Sequence, residues 1–418
     1  MIFLYNAGIR LLVAFFSIGQ HFNKKLKQGY DGRQDWEPKL KKFRAENPES
    51  LVWFHCASLG EFEMARPVID LLNENKPKTL SIVITFFSPS GYEQRKNYKG
   101  IDFAMYLPFD TQKSAIAFIE ILRPSVAVFV KYEFWLNYLK QLENRKVKNL
   151  LINGLFREDH IFFKPWGGIF RSALKSIDHL FLQNNKSAKL LFGKGISHTT
   201  VTGDLRYDRV TAISKNTRNF DQLETFIKGA FIVIGGSTWP EEEKILLNAV
   251  KTFKKQIKLI LVPHDISEAH LQQIEKQLSG MYFKRFSTMK AEHNPQIILV
   301  DTIGHLSSLY KLGDLALVGG GFTGALHNIL EPAVFGIPVL FGSTYNKFPE
   351  AGYFVEKGLS ASINSSKDFE NYLNDFMSSP EKKEKIKTIS ESVFKANSGG
   401  TEQVYYKIKG FLSGEINY

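Results

Sequence analysis

Three glycines precede a histidine, an asparagine and a glutamate in the last third of the chain. The glycines are Gly319, Gly320 and Gly321. Glycines after an apolar strand allow close approach to the backbone, and the amides of a following helix can hold a phosphate. In "HNILEPAVFG", Glu331 can accept hydrogen bonds from both hydroxyls of a ribose. His327 and Asn328 can reach a sugar or phosphate oxygen. The stretch therefore predicts a nucleotide site.

Two further turns in the second half of the sequence favour a phosphate. The run "IGGSTWPEEE" places Ser237 and Thr238 after a strand-like segment, where hydroxyls can contact a phosphate. The three acidic residues 241–243 follow a proline and are typical of a helix start. His264 follows "LILVP" and can meet a base or a phosphate. The G-x-G-x-x-G pattern of a dinucleotide fold near the first strand is missing, which argues against that class.

Serines, glycines and one glutamate follow the first two strand-like runs. "HCASLGEFEMARP" supplies Ser58, Gly60 and Glu61. "TFFSPSGYEQR" supplies a second set, namely Ser88, Ser90 and Gly91. Each set can cap a helix and hold an anion at the helix N-terminus, although such residues also form ordinary turns. Glu61 is either a helix-start carboxylate favoured by the helix dipole or a functional acid.

Two more strand-like runs end in polar residues. Glu133 follows "VAVFV", and an acid at a strand end is a candidate site residue as well as a candidate helix-start charge. Asn153 follows "NLLI" and either contacts a ligand or occupies a left-handed turn position, which asparagine tolerates.

From about residue 50 onward, short apolar runs alternate with segments of helical spacing. Strands buried on both faces and separated by helices imply parallel sheets. The pattern pauses in a polar stretch near 205–230 and then restarts. We therefore expect an α/β protein with two doubly wound, Rossmann-like domains, over 23–210 and 225–418, that face each other across a cleft. The last helix is a candidate to pack back on the first domain.

The N-terminal segment is apolar and is followed by lysines. Its uncharged run after Arg10 lasts about a dozen residues, short of the roughly 20 that a membrane-spanning helix needs. Residues 1–44 contain nine basic and three acidic residues, a net charge of +6 out of +12 for the whole chain. We predict a membrane-associated helix over 1–22 whose flanking lysines bind an anionic membrane surface. A core helix followed by solvated lysines is the alternative.

The order of these motifs resembles the 3-deoxy-D-manno-octulosonic acid (Kdo) transferases of lipopolysaccharide assembly. The matching fragments are "ASLGE", "SPSG", "YLPFD", "YEFWLN", "NGLF", "VTGDLRYD", "STWPEEE", "VPHD", "GGGFTGALHNILEPA" and "PVLFG". The resemblance implies the GT-B architecture and an inverting, metal-independent transfer of Kdo from CMP-Kdo to a lipid A precursor, lipid IVA. It also implies a location at the cytoplasmic face of the bacterial inner membrane.

The resemblance divides the work between the two domains. The second domain would hold CMP, and the first, with its basic face, would receive the lipid. The positions that match the family's CMP site are Ser237, Thr238, His264, Gly319, Gly320, Gly321, His327, Asn328 and Glu331.

This chain departs from the family pattern at two positions. Many members have Gly-Glu-Arg soon after the N-terminal helix, and its glutamate resembles the base for the acceptor hydroxyl, whereas this chain has "GYDGR". We expect Asp31 to replace that glutamate, with Glu61 as the reserve candidate. The family also commonly has arginine where this chain has His264. The phosphate charge then falls to other groups or to a protonated histidine.

Other functions fit parts of the pattern. Another GT-B enzyme that uses a UDP-sugar, either a transferase or an epimerase, would share the helix glutamate. A basic nucleic-acid-binding protein would explain the charge, but the aromatic residues lie mostly in strand-like runs and offer no stacking platform, so we expect no nucleic acid partner. A catalytically dead membrane scaffold would explain the two departures. The scattered histidines and the single Cys56 suggest no metal site, no cofactor and a reducing compartment.

Overall fold

The computed structural model describes residues 1–414 and divides the chain into two compact units. The first unit contains Met1–Arg209 together with the segment that begins at Asn397. The second unit contains Val210–Ala396. The chain therefore passes once from the first unit into the second and returns to the first at Asn397.

A parallel sheet of seven strands forms the centre of the first unit. In chain order the strands are β1 (Ser50–Cys56), β2 (Leu80–Phe86), β3 (Phe103–Tyr106), β4 (Val126–Val130), β5 (Lys148–Gly154), β6 (His179–Leu182) and β7 (Thr199–Val201). Across the sheet their order is β3-β2-β1-β4-β5-β6-β7. The strand order reverses between β1 and β4, which makes this pair the topological switch point.

The second unit has a parallel sheet of the same size. Its strands are β8 (Phe231–Thr238), β9 (Ile257–Pro263), β10 (Phe283–Arg285), β11 (Ile297–Leu299), β12 (Leu315–Val318), β13 (Val339–Gly342) and β14 (Ser360–Ile363). Their order is β10-β11-β9-β8-β12-β13-β14, so this switch point lies between β8 and β12. The prediction of two doubly wound parallel sheets of the GT-B class is confirmed.

Helices precede the first strand, connect the strands and cover the sheets. Those in the first unit are α1 (Ile2–Gly19), α2 (Lys24–Asp31), α3 (Trp36–Glu46), α4 (Leu59–Asn75), α5 (Pro89–Arg95), α6 (Gln112–Leu122), α7 (Leu136–Asn144), α8 (Gly168–Lys175) and α9 (Asn185–Phe192). Helix α10 (Arg206–Lys215) runs across the sequence boundary between the units. The second unit adds α11 (Glu224–Ile227), α12 (Pro240–Phe253), α13 (Glu268–Gln277), α14 (Leu306–Leu309), α15 (Leu330–Ala333), α16 (Pro349–Lys357), α17 (Ser366–Ser378) and α18 (Pro380–Asn397). Short 3-10 helices lie at Ile161–Phe163, Asp221–Leu223, Lys254–Gln256, Phe286–Thr288 and Tyr310–Leu312.

The C-terminal helix α19 (Gly400–Ser413) packs against α4 in the first unit. Its Val404 and Ile408 belong to the apolar layer on one face of the first sheet. Asp208 accepts hydrogen bonds from the backbone N–H groups of Gly399, at 2.6 Å, and Thr401, at 2.7 Å. The start of α19 is therefore fixed by a carboxylate cap, as the unpaired donors of a helix N-terminus require.

Alternate residues of β1 point to opposite faces of the sheet, and helices cover both faces. Trp53 belongs to one apolar layer and Phe54 to the other. The run from Leu51 to Cys56 is consequently buried throughout, as expected for a central parallel strand. His55 shares the face of Trp53, so a titratable ring lies inside this otherwise apolar strand.

One face of α1 is docked on the first unit and the other is exposed. Tyr5 donates a hydrogen bond to Oδ2 of Asp110 at 2.5 Å, and the Phe16 ring packs edge-on against Phe109. The exposed apolar side chains of the segment are Met1, Ile2, Phe3, Leu4, Leu11, Phe15, Ile18 and Phe22. By length and composition alone the 18-residue helix is apolar enough to cross a membrane. It includes Arg10 and is therefore longer than the uncharged run counted from the sequence.

Asp110 fixes the inner face of α1 to the start of α7. Its carboxylate accepts hydrogen bonds from Tyr5 and from the backbone N–H groups of Asn137 and Tyr138, each of the latter at 3.1 Å. Burial raises the pKa of Asp110 to about 7. The aspartate of "YLPFD" is thus a helix cap that also positions the N-terminal helix.

Candidate functional site

Polar side chains collect at the switch point of the first sheet. The turn after β1 supplies Ser58 and Glu61, and the turn after β4 supplies Lys131, Glu133 and Trp135. Because β1 pairs with β4, the two turns are adjacent. Ligands of open α/β sheets bind at the carboxyl ends of strands at such a point.

Glu61 is the third residue of α4 and folds back over the first turn of that helix. Its Oε2 accepts a hydrogen bond from the backbone N–H of Ala57, so the carboxylate caps the helix start. Burial, with a smaller contribution from the charge of Glu133, raises the pKa of Glu61 to about 8. A carboxyl group with this proton affinity suits proton transfer near neutral pH. Both interpretations that the sequence left open are therefore compatible with the geometry.

A chain of hydrogen bonds runs from the core to Glu133. Trp53 Nε1 donates to Oγ1 of Thr85 at 2.8 Å, and this Oγ1 lies 2.9 Å from Nδ1 of His55. The Nε2 atom of His55 lies 3.2 Å from Oε2 of Glu133. Trp135 Nε1 donates to the same Oε2 at 2.7 Å. His55 is 0% exposed, whereas the Glu133 side chain is 14% exposed, so the chain leads from the interior toward the surface.

The remaining predicted residues of the first two turns have local roles. Ser58 is the N-cap residue of α4, and Gly60 is exposed. Ser88 caps α5, because its Oγ accepts a hydrogen bond from the backbone N–H of Ser90 at 3.2 Å. Gly91 is buried where a Cβ atom would overlap the Phe86 ring. Ser58, Ser88 and Ser90 thus lie at the carboxyl edge of the sheet.

Asn153 is fully buried and holds the chain beyond β7. Its Oδ1 accepts a hydrogen bond from the backbone N–H of Leu205 at 3.0 Å, and its Nδ2 lies 3.5 Å from Asp204. Its φ of 54° is left-handed, as the turn interpretation expected. The amide therefore serves the protein's own backbone.

Asp31 and Arg33 differ sharply in their surroundings. Asp31 is the last residue of α2, is exposed, and makes no side-chain hydrogen bond or ion pair within residues 1–414. Arg33 is buried and donates to three carbonyl oxygens, those of Gly29, Phe87 and Leu107. Burial lowers its pKa to about 10. Arg33 therefore anchors the end of α2 to the ends of β2 and β3. Asp31 lies two residues before it and is exposed.

The glycines after β12 pack against the ends of neighbouring strands. A Cβ atom on Gly319 would overlap the carbonyl of Ser237, and one on Gly321 would overlap the backbone of Gly342. Gly320 has a φ of 84° and donates its N–H to Oε1 of Glu242 at 3.0 Å. These glycines are thus required by close backbone packing, and the N–H of Gly320 is already bonded to a side chain of the protein.

The helix expected to follow the glycine loop is shorter than predicted. It was expected to begin at "HNILEP", but α15 has only the four residues Leu330–Ala333. Gly336, with a φ of 73°, lies just beyond it, a backbone region that stops a helix. The longer α12 begins after β8. Glu242 caps its first turn by accepting the backbone N–H of Trp239 at 3.1 Å.

Three rings form a stack at the switch point of the second sheet. The ring centroids of Trp239 and His264 are 4.5 Å apart, and those of His264 and His327 are 4.6 Å apart. The backbone N–H of His264 donates to Thr238 O, and that of His327 donates to Gly319 O, so strand ends fix two of the rings. Burial, with a smaller contribution from His264, lowers the pKa of His327 to about 4. The exposed His264 lies between two rings that are neutral near pH 7.

Glu331 is held in place by two polar neighbours. Ser307 donates to its Oε2 at 2.7 Å, and Asn328 Nδ2 donates to its Oε1 at 3.2 Å. Asn328 also accepts the backbone N–H of Leu330 through Oδ1, at 3.1 Å. Because each carboxylate oxygen can accept a second hydrogen bond, Glu331 retains the capacity to bind ribose hydroxyls.

The two hydroxyl residues of "GGST" differ in accessibility. Ser237 is partly exposed and has a left-handed φ of 51°. Thr238 is buried, and its Oγ1 lies 3.4 Å from Oε1 of Glu243, which also binds His270 Nε2 at 2.9 Å. Only the Ser237 hydroxyl is therefore accessible to a ligand. Within residues 1–414 no group of three or more acidic, histidine or cysteine side chains has the arrangement of a metal site.

Comparison with known proteins finds one family along most of the chain. The family model described as 3-deoxy-D-manno-octulosonic-acid transferase (kdotransferase) matches residues 34–209. A 3-deoxy-D-manno-octulosonic acid transferase from Haemophilus influenzae is 28% identical over 382 residues, which cover 88% of this chain and 89% of that protein. The chain is therefore similar to Kdo transferases along most of its length. Another relative of that name, from Aquifex aeolicus, is 29% identical over 75% of this chain and 81% of its own length.

A solved structure supports the fold. UDP-GlcNAc 2-epimerase from Neisseria meningitidis, bound to UDP-GlcNAc, superposes with a TM-score of 0.59. It covers 86% of this chain and 100% of its own, at 16% identity. At that identity the similarity shows a shared architecture, and it agrees with the GT-B class predicted from the sequence.

Four residues at the two switch points were missed by the sequence analysis as site residues. They are His55, Trp239, Glu242 and Ser307. A histidine within the apolar run "LVWFHC", next to a strand with threonine in "ITFF", was a detectable signal, because buried polar side chains need partners. Trp239, directly after "GGST", was detectable as a strand-end aromatic. Ser307 had no local signal, since only the fold brings it to Glu331.

Proposed function

We propose that this protein transfers Kdo from CMP-Kdo to a lipid A precursor, lipid IVA, with inversion at the anomeric carbon. The observation that carries the proposal is the similarity to Kdo transferases over nearly nine-tenths of the chain. The two switch points support it, since one offers carboxylates for proton transfer and the other offers groups suited to a nucleotide.

The donor would bind at the carboxyl end of the second sheet. Glu331 would accept the ribose hydroxyls, and the exposed His264 would meet the phosphate in its protonated form, in place of the family's arginine. The stack of Trp239, His264 and His327 offers an aromatic face to a pyrimidine base. Ser237 would supply a hydroxyl to the phosphate. Departure of CMP would then be stabilised by hydrogen bonds and a positive charge.

The base would deprotonate the acceptor hydroxyl, and the structure favours Glu61 over Asp31. Glu61 lies at a switch point and has a pKa of about 8, whereas Asp31 is exposed on α2. Proton affinity near the working pH makes a carboxylate a more effective general base. Asp31 remains the prediction from the family pattern, so the two must be compared directly.

The acceptor is a lipid, and α1 supplies a surface suited to its membrane. The exposed apolar side chains of α1 would enter the acyl boundary, while Lys24, Lys25 and Lys27 on α2 would meet anionic headgroups. This arrangement supports a peripheral or monotopic position at the cytoplasmic face of the bacterial inner membrane. The basic segment then serves a bisphosphorylated lipid and requires no nucleic acid.

Incubation of the purified full chain with CMP-Kdo and a tetra-acylated lipid A precursor tests the proposal by product mass. We expect a product heavier by one or more Kdo units with CMP-Kdo and none with UDP-GlcNAc. Turnover of UDP-GlcNAc without Kdo transfer would instead support the epimerase class. Tight, salt-sensitive binding of oligonucleotides without turnover would support the nucleic-acid class.

Two variants assign the base in the same assay. Glu61→Gln is expected to lower kcat by about 100-fold or more, which is the usual contribution of a general base. Asp31→Asn is expected to retain most of the activity, with Glu46→Gln as an exposed control on α3. The opposite pattern would return the base to Asp31 and leave the family assignment unchanged.

A further inference from the structure

The proposed transfer uses Glu61 and leaves the buried histidine behind Glu133 without a role. His55 is enclosed within β1, yet both ring nitrogens have partners. An apolar side chain could fill this position without polar partners, and burying polar groups costs free energy unless they are bonded. Core packing alone therefore does not explain the polar partners of His55. One of these partners, Glu133, lies at the proposed site.

Each ring nitrogen of His55 lies near two polar groups. Nδ1 lies 2.9 Å from Oγ1 of Thr85, which accepts from Trp53 Nε1, and 3.2 Å from the backbone carbonyl oxygen of Thr85. Nε2 lies 3.2 Å from Oε2 of Glu133 and 3.0 Å from Nε1 of Trp135. A proton on Nε2 lets the ring donate to Glu133, whereas an unprotonated Nε2 would place two acceptors against each other. Trp135 supplies a second donor to the same oxygen, at 2.7 Å.

We propose that His55 is a positioning residue of the transfer reaction, which fixes the carboxylate of Glu133 beside the turn that carries Glu61. The inference rests on the function proposed above. Glu133 is then a second carboxylate of the site, held by His55 from behind and by Trp135 from the side. Its charge strengthens Glu61 as a base, because a second negative charge nearby favours protonation.

The proton balance of the step is simple. The acceptor hydroxyl transfers its proton to the Glu61 carboxylate while its oxygen forms a bond to the anomeric carbon of Kdo. The bond from that carbon to the CMP phosphate oxygen breaks, and its electron pair leaves with CMP. The proton stays on the carboxyl group of Glu61, whose raised pKa retains it, until solvent removes it.

Several other groups act on Glu61, and they must be kept constant in any test. Lys131 lowers its pKa from the turn after β4. Tyr132 on the same turn and Cys56 at the end of β1 each interact with its charge. A substitution at Glu133 leaves these three in place, so it isolates the effect of the second carboxylate.

Two isosteric replacements of His55 separate positioning from packing. Glutamine places its amide near the position of Nε2 and can still donate to Glu133. Asparagine places its amide near Nδ1, so it preserves the contact with Thr85 and loses the one with Glu133. We expect His55→Gln to retain kcat within about tenfold and His55→Asn to lose about 100-fold, with the KM of CMP-Kdo unchanged in both.

Equal loss in both variants, with folding intact by circular dichroism, would overturn the positioning role. If either buried replacement fails to fold, Trp135→Phe provides the same test, because it removes the other donor to Glu133 from a partly exposed position. We expect it to lower kcat by about tenfold with little change in KM. Unchanged kcat in Trp135→Phe would contradict the proposal.

A measurement without substrate separates this inference from the proposed function. The pKa of Glu61 can be followed by carbon NMR in protein with carboxyl-labelled glutamate, with Glu61→Gln as the assignment reference. We expect Glu133→Gln and His55→Asn both to lower the pKa of Glu61 from about 8. An unchanged pKa in both would overturn the inference, even if wild type transfers Kdo. A lowered pKa without Kdo transfer by wild type would support the placement of Glu133 by His55 and contradict only the proposed function.

Discussion

The switch points of the two sheets use the same scaffold and hold opposite kinds of chemistry. At β1 and β4 the turns carry carboxylates, with a histidine behind them and a raised pKa at Glu61. At β8 and β12 the turns carry glycines and a stack of rings, and the pKa of His327 is lowered to about 4. In the proposed function the first would exchange protons, and the second would hold a flat, polar ligand.

The difference shows what a doubly wound sheet determines and what it leaves to its loops. Both sheets have seven parallel strands, and each reverses its order at one point, so both deliver strand ends to one edge. The chemistry then depends on which residues follow those strands. Burial raises the pKa of a carboxyl group and lowers that of an imidazole, because it disfavours the charged form of each. The same physical effect therefore gives a carboxyl group with a raised pKa in one unit and a neutral imidazole ring in the other.

Steric substitution of a loop glycine should show most strongly that the second site depends on backbone packing. Gly319→Ala places a methyl group against the Ser237 carbonyl, where neither backbone can yield without moving β8 or β12. We expect a loss of about 3 kcal/mol in the free energy of unfolding and a clear fall in Tm by calorimetry. Gly352→Ala on α16 is the control, since a Cβ there meets nothing within 4 Å. Equal Tm values for the two variants would show that the glycine loop tolerates side chains.

Removal of the largest ring in the stack should weaken donor binding while leaving proton transfer intact. Trp239→Ala is expected to raise the KM of CMP-Kdo by about 10- to 100-fold, because stacking on an aromatic side chain contributes about 1–3 kcal/mol per base. Trp239→Phe should restore most of the affinity, and Tyr282→Ala serves as an exposed aromatic control in the second unit. A fall in kcat at unchanged KM would contradict the division of roles between the two sites.

The α/β pattern and the strand-end turns were predictable because both follow from local sequence. Apolar runs of four to eight residues, separated by helical spacing, correctly predicted parallel sheets with Glu61, Glu133 and the 319–321 glycines at strand ends. What the sequence could not supply was the pairing of distant side chains. The contact of Ser307 with Glu331 and that of His55 with Glu133 arise only when separate strand ends meet at one edge of a sheet.

The glycine loop shows a second limit of sequence-based prediction. Its three glycines indicated a phosphate cradle, but a glycine needed for backbone packing has the same sequence signature as one needed for a ligand. The short α15 illustrates the related difficulty of helix length. The stretch "HNILEPAVFG" suited a helix, yet α15 ends after the four residues Leu330–Ala333. Whether loop glycines bind a ligand or pack against backbone depends on the neighbouring strands. The length of the helix that follows depends on the same contacts.

The pH dependence of stability should distinguish the two sites through the raised pKa of Glu61. The folded-state pKa of Glu61 is about 8, above the value of an exposed glutamate, which is about 4.3. Below about pH 4 the group is protonated in both the folded and unfolded states, and its contribution to stability is fully present. As the pH rises toward 8, only the unfolded state releases the proton, so wild type loses stability.

Glu61→Gln keeps a neutral side chain that can accept the Ala57 N–H, and it should escape this loss. We therefore expect the Tm difference between Glu61→Gln and wild type to grow from pH 5 to pH 8 and then level off, whereas the exposed control Glu46→Gln should show no such trend. A constant difference across this range would mean that Glu61 is ionised throughout, and the contrast between a proton-exchanging site and a ligand-holding site would lose its main support.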